Sequence, residues 1–179
     1  KKNQVIYFEG IDTYADIFLK KEKILSSNNM FHPWEAEISN FLKNGKNELE
    51  IYFRSPIDEV SDQMAQLNYQ LPADNDQAGK TSPFSRKAPF HYGWDWGPCF
   101  VTSGIWRNVS LIGWNDWHVK RSSIINCGVE SNLAHLLLEL DIMSELNEKA
   151  SIFIEEPNAQ ITFESSIDLK KGNNFFREK

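Results

Sequence analysis

The stretch LAHLLLELDIM, residues 133–143, decides the fold class of this 179-residue chain. Apolar side chains occupy every second position from Ala134 to Ile142, and the intervening positions carry mostly polar residues. Because successive side chains of a strand point to opposite faces, this pattern predicts a strand with one buried face and one solvated face. Segments 34–38 and 49–53 alternate in the same way. We therefore predict an all-β chain built from antiparallel sandwiches.

The strand pattern is interrupted at Trp114-Asn115-Asp116-Trp117, which we interpret as a domain boundary. The predicted domains are 1–114 and 115–179. In the second domain short polar turns join four strand candidates, at 119–125, 133–143, 150–154 and 161–169.

One helix is predicted, over about residues 56–71. Ser55 can cap its N-terminus and Pro56 suits the first helical position. Apolar residues then recur at steps of three and four until Pro72 ends the pattern. We expect this stripe to pack against the core rather than to form a binding surface.

Composition excludes several kinds of partner. The net charge of −6 argues against nucleic acid and against an anionic membrane surface. Histidines and cysteines lack metal-ligand spacing, so we expect no metal and no cofactor. Cys99 and Cys127 are predicted to be unpaired thiols. The cellular location does not follow from the sequence, and a bacterial periplasm or another polysaccharide-degrading compartment is only a guess.

The candidate binding residues follow a long polar loop at 72–89. Loops of that length inside compact domains are usually functional or disordered. The next residues, within a candidate substrate loop at about 86–98, place the Asp95 carboxylate between the indoles of Trp94 and Trp96. Aromatic faces and a carboxylate together suit a neutral sugar. The same residues could equally plug the end of a sandwich, and composition leaves the two interpretations balanced.

Three segments carry a resemblance to glycoside hydrolase family 2. Phe8–Asp16 and Ser103–Arg107 resemble segments typical of the family, and Arg86–Pro98 is similar to its β-mannosidase branch. The resemblance implies a galactose-binding-like jelly-roll β-sandwich followed by an immunoglobulin-like β-sandwich. We expect the first sandwich to be incomplete at its N-terminus and the second to be incomplete as well. Two departures are Lys20-Lys21, where the family usually has Asn-Gly, and Cys99, where Arg is common.

The resemblance also implies a function. It predicts the N-terminal, non-catalytic part of a retaining exo-β-mannosidase that hydrolyses terminal non-reducing β-D-mannose residues of oligosaccharides or glycoproteins. The two catalytic glutamates would belong to a separate catalytic barrel, so no catalytic residue is expected here and the fragment alone should be inactive. Trp94 and Asp95 would contact the terminal sugar, with His91, Tyr92 and Trp96 supporting or bordering them.

Three other functions remain open from the sequence. The chain could be a stand-alone carbohydrate-binding module with the same aromatic residues. It could supply purely structural β-domains to another family 2 glycosidase. It could also belong to an enzyme of the family with a sibling specificity, such as a β-glucosaminidase.

Overall fold

The computed structural model describes residues 1–155 and 162–179, and strands dominate it, which confirms the predicted all-β class. The chain forms two compact units, Lys2–Gly113 and Trp114–Lys179. Within the described part of the chain, no helix is long and apolar enough to cross a membrane.

The first unit contains eight strands. They are β1 (Asn3–Phe8), β2 (Ile11–Asp12), β3 (Tyr14–Leu19), β4 (Glu22–Asn28), β5 (Trp34–Glu37), β6 (Leu49–Phe53), β7 (Gly104–Ile105) and β8 (Val109–Trp114). Two three-stranded sheets have the orders β5-β1-β8 and β4-β3-β6, and the short strands β2 and β7 pair with each other. One core joins the two larger sheets, with Phe8, Ile11 and Ile17 fully buried in it.

The turn between β3 and β4 shows how the chain tolerates Lys20-Lys21. Both lysines have positive φ angles, 53° and 70°, as a two-residue hairpin turn of type I′ requires. The Lys20 backbone N–H donates to the Glu48 carbonyl over 3.1 Å, and its ammonium donates to the Phe41 carbonyl. These tertiary bonds offset the steric disadvantage of a side chain in a left-handed conformation.

The helix α1 spans only Asp58–Ala65, so the predicted range of 56–71 was too long. Ser55 does serve its N-terminus, because its carbonyl accepts from the Glu59 N–H and its hydroxyl from the Asp58 N–H. Val60 is the only buried residue of the helix, and Met64 is exposed. Beyond Ala65, Leu67 and Leu71 are half-buried without continuing the helix.

The described residues of the second unit, 114–155 and 162–179, form five strands. They are β9 (Trp117–Glu130), β10 (Leu133–Ser144), β11 (Glu148–Glu155), β12 (Thr162–Leu169) and β13 (Gly172–Glu178). One sheet has the order β13-β10-β9 and the other pairs β11 with β12. Leu138, Leu140 and Ile142 of β10 are buried with Leu169, as the alternation at 133–143 predicts. Of the strand predicted at 161–169, Ile161 lies outside the described residues.

Candidate functional site

The polar loop at 72–85 is an ordered platform. The buried Asp76 carboxylate accepts the Ala78 N–H over 2.6 Å and the Ser82 N–H over 2.8 Å. The Lys80 ammonium donates to the carbonyls of Ala73 and Asp74 over 2.7 and 2.9 Å. Since these bonds satisfy backbone groups on both sides of Asp76, the loop has a defined shape, although its regular structure is limited to a short 3-10 helix at Ser82–Phe84.

A buried ion pair lies where the two ends of the next loop, residues 88–101, meet. The Lys87 ammonium lies 2.5 Å from both carboxylate oxygens of Asp12 and 2.6 Å from the Thr102 carbonyl. All three ammonium protons therefore have acceptors. Burial lowers the pKa of Lys87, and the Asp12 carboxylate opposes that effect. Lys87 and Thr102 flank residues 88–101, so this one side chain ties both ends of the loop to β2.

His91 lies beside the ion pair. Its Nδ1 is 3.1 Å from the Thr102 hydroxyl and 3.5 Å from an Asp12 carboxylate oxygen. Burial and the neighbouring Lys87 charge lower the pKa of His91, and the Asp12 charge raises it by less. His91 also lines an open cleft of about 450 Å³, with Phe31, Phe90 and Trp106.

The predicted contact residues lie on an exposed turn. Trp94 is 47% exposed and Trp96 is 84% exposed. Their ring centroids are 6.0 Å apart in an edge-to-face arrangement. The exposed Asp95 carboxylate has no hydrogen-bond or ion-pair partner among residues 1–155 and 162–179. The two indoles thus lie at the surface together with a carboxylate that has no partner among the described residues.

Gln77, a residue of the platform at 72–85, forms hydrogen bonds to this turn. Its side-chain amide donates to the Trp94 carbonyl over 2.6 Å and to the Gly97 carbonyl over 3.4 Å. Its backbone N–H donates to the Tyr92 carbonyl over 2.8 Å. Gly93 has a φ of +107°, and a Cβ at that position would stand 3.0 Å from the Gln77 side chain. Trp94 and Gly93 also border a cleft of about 300 Å³ beside the platform.

The structure separates the five predicted site residues into two groups. Trp94, Asp95 and Trp96 share the exposed turn, whereas His91 packs against the Asp12–Lys87 pair. Tyr92 is fully buried, and burial raises the pKa of its phenol. Its placement excludes direct contact with a ligand, so Tyr92 can only support the loop from below.

Sequence reasoning missed the supporting residues. Lys87 and Asp12 each lie within a segment that resembles the family, but nothing in the sequence pairs them. Gln77 lies in a loop without periodic pattern, and no signal in the sequence identified it. Among the described residues, no three His, Cys, Asp or Glu side chains come together as metal ligands. Cys99 and Cys127 are both unpaired, as predicted.

One protein family matches the part of the chain that contains the two-sheet core and the loop that follows it. The profile of the family described as "glycosyl hydrolase 2 galactose-binding domain-like" matches residues 1–107. The chain belongs to this family. The match covers the whole site, from Asp12 to Ile105, and confirms the resemblance to glycoside hydrolase family 2.

Relatives of this family 2 chain point to the β-mannosidase branch. Beta-mannosidase B of Thermothelomyces thermophilus is 40% identical over 108 residues, which is 60% of this chain and 12% of that protein. Beta-mannosidase of Capra hircus is 28% identical over 175 residues, or 93% of this chain and 20% of that protein. The chain therefore spans only a small part of the length of these relatives.

Solved structures agree. Beta-D-mannosidase from Dictyoglomus thermophilum superimposes with a TM-score of 0.86 at 31% identity, over 98% of this chain and 21% of that one. Beta-glucuronidase 2 of Bacteroides uniformis gives a TM-score of 0.61 at 16% identity, over 99% of this chain and 19% of its own length, and shares the fold alone.

Proposed function

We propose that this chain is the N-terminal, non-catalytic part of a retaining exo-β-mannosidase that removes terminal non-reducing β-D-mannose. Its two units correspond to a galactose-binding-like domain up to about residue 114 and part of an immunoglobulin-like domain beyond it. The catalytic acid and nucleophile would come from a barrel outside this chain. The similarity to β-mannosidases over most of the first unit supports this assignment.

The observation that carries the proposal is the exposed turn with its unpartnered Asp95 carboxylate. An unpaired carboxylate can accept hydrogen bonds from two neighbouring sugar hydroxyls. Trp94, half-exposed beside it, can cover the apolar C–H face of the same ring. Both residues would act by binding. Because they would hold the sugar while its ring distorts, their contribution belongs largely to the transition state.

The test is Asp95→Ala in the full-length enzyme that carries this chain, assayed with an aryl β-mannoside. A charge-assisted hydrogen bond contributes about 1.5–3 kcal/mol, so kcat/KM should fall roughly 10- to 100-fold. Asp62→Ala is the matched control, because Asp62 is an exposed helix carboxylate outside the loop. Asp95→Ala activity within about threefold of the Asp62→Ala enzyme would refute the assignment.

The exposed tryptophans also favour a second candidate, a stand-alone carbohydrate-binding module. Such a module would bind mannose or manno-oligosaccharides saturably without any other domain. Under the main proposal the turn is one wall of a shared site, and residues 1–179 alone should bind sugar weakly and show no turnover. Titration of this fragment by calorimetry, together with a hydrolysis assay, separates the two functions.

A further inference from the structure

We propose that Gln77 is a positioning residue for the sugar-binding turn, orienting Asp95 through the Trp94–Asp95 peptide group whose carbonyl it binds. This inference rests on the proposed function and names the residue that gives the binding turn its shape. Gln77 lies outside the three motif segments at 8–16, 86–98 and 103–107, in a loop whose sequence shows no pattern.

The side-chain amide of Gln77 bridges the two ends of the turn. It donates to the carbonyl of the first residue, Trp94, and to that of the last, Gly97. The Gly97 N–H itself donates to the Trp94 carbonyl over 3.3 Å, which closes the turn. Asp95 and Trp96 stand between these two points. Both residues are exposed, and neither side chain forms a hydrogen bond within residues 1–155 and 162–179, so Gln77 supplies the external restraint on the turn.

Gln77 can impose this restraint because it is fixed on both sides. The preceding residue, Asp76, is buried and accepts two backbone N–H groups of the platform. The Gln77 backbone N–H donates to the carbonyl of Tyr92, which is fully buried. Gly93 lets the amide approach, since a Cβ there would stand 3.0 Å from the Gln77 side chain. The turn is thus tied through Gln77 to buried parts of the first unit.

The chemistry of this contact requires an amide. Both of its partners are carbonyl oxygens, which only accept, and the amide nitrogen offers two donors. Glutamate has nearly the same shape but would place carboxylate oxygens against two carbonyl oxygens. Methionine keeps the length and lacks the donor. A misplacement of about 1 Å in a binding group can lower a rate by roughly 100-fold.

The experiment is a double-mutant cycle in the full-length enzyme, with kcat/KM for an aryl β-mannoside and the melting temperature as readouts. Gln77→Glu should lower kcat/KM about 10- to 100-fold and Gln77→Met about 3- to 10-fold. Gln63→Glu, which makes the same charge change on an exposed helix position, should leave kcat/KM unchanged. In the Asp95→Ala background each Gln77 variant should cause less than about a twofold further loss.

Losses that multiply in the double variant would show that Gln77 acts independently of Asp95 and would overturn the inference. Activity of both Gln77 variants within threefold of wild type, with Asp95→Ala impaired, would overturn it as well and leave the proposed function standing. If Asp95→Ala itself has no effect, both the proposed function and this inference are wrong. A Gln77→Glu enzyme that fails to fold leaves Gln77→Met to decide the result.

Discussion

Replacing Lys87 with methionine should destabilise the first unit more than any surface substitution. The Lys87 side chain is completely buried and the Asp12 side chain is 6% exposed. Without the ammonium, the Asp12 carboxylate loses two hydrogen bonds of 2.5 Å, and the Thr102 carbonyl loses its partner. Removing one member of a buried pair destabilises by about 3–5 kcal/mol, because the remaining charge stays desolvated.

Thermal unfolding of the intact protein measures this effect. For a unit of this size, about 3–5 kcal/mol corresponds to a fall of roughly 12–20 °C in the transition that contains the first unit. Lys46→Met is the matched control, since Lys46 is an exposed loop lysine and should shift the transition very little. Adding Asp12→Asn to Lys87→Met removes the unpaired buried charge of Asp12 and should restore part of the lost unfolding temperature.

Two results would refute this reasoning. Lys87→Met could melt at the same temperature as Lys46→Met, which would mean that the buried pair contributes nothing net. The double variant could instead be less stable than Lys87→Met alone, in which case the stranded carboxylate is not the source of the loss.

Two further predictions concern His91 and Gly10. Because burial and Lys87 lower the pKa of His91 below its ordinary value of 6.5, the unfolded chain binds more protons than the folded one just below that pH. Stability should therefore fall as the pH drops from 7 towards 5, and His91→Gln should flatten that slope in denaturant titrations; an unchanged slope would exclude His91 as the cause. A Cβ on Gly10 would stand 2.5 Å from the Trp106 indole nitrogen, so Gly10→Ala should destabilise by about 1–3 kcal/mol. Gly104→Ala, with open space around it, is the control, and equal unfolding curves for the two variants would contradict this account.

The fold could be predicted from the sequence where local patterns determine it. The alternation at 133–143 corresponds to a strand whose Leu138, Leu140 and Ile142 are buried. The helix length could not be predicted in the same way. Its stripe is regular to Leu71 and both Leu67 and Leu71 are half-buried, but the helix ends at Ala65, so burial of the stripe does not by itself fix the helix length.

In the candidate site, too, some residues could be predicted from local sequence and others could not. Trp94, Asp95 and Trp96 are adjacent in sequence and chemically distinctive, so their role as a possible sugar contact could be inferred before their exposure was known. Asp12 and Lys87 are 75 residues apart, and no local rule pairs them. Tyr92, in the middle of the aromatic run, turned out to be fully buried, because the short helical turn at Pro89–Tyr92 directs it inward.

Contact residues are easier to predict from sequence than supporting residues, and the reason is physical. A ligand restricts the residue types that can meet it, so contact residues concentrate aromatic rings and charge within a few positions. A supporting residue needs only a donor or acceptor at the right place, and many residue types offer one. Gln77 is such a case, because its bonds to the turn identify it and nothing in its sequence context does. Supporting residues are therefore recognised from geometry, and for Gln77 coupling to Asp95 is the property that separates a positioning role from a merely stabilising one.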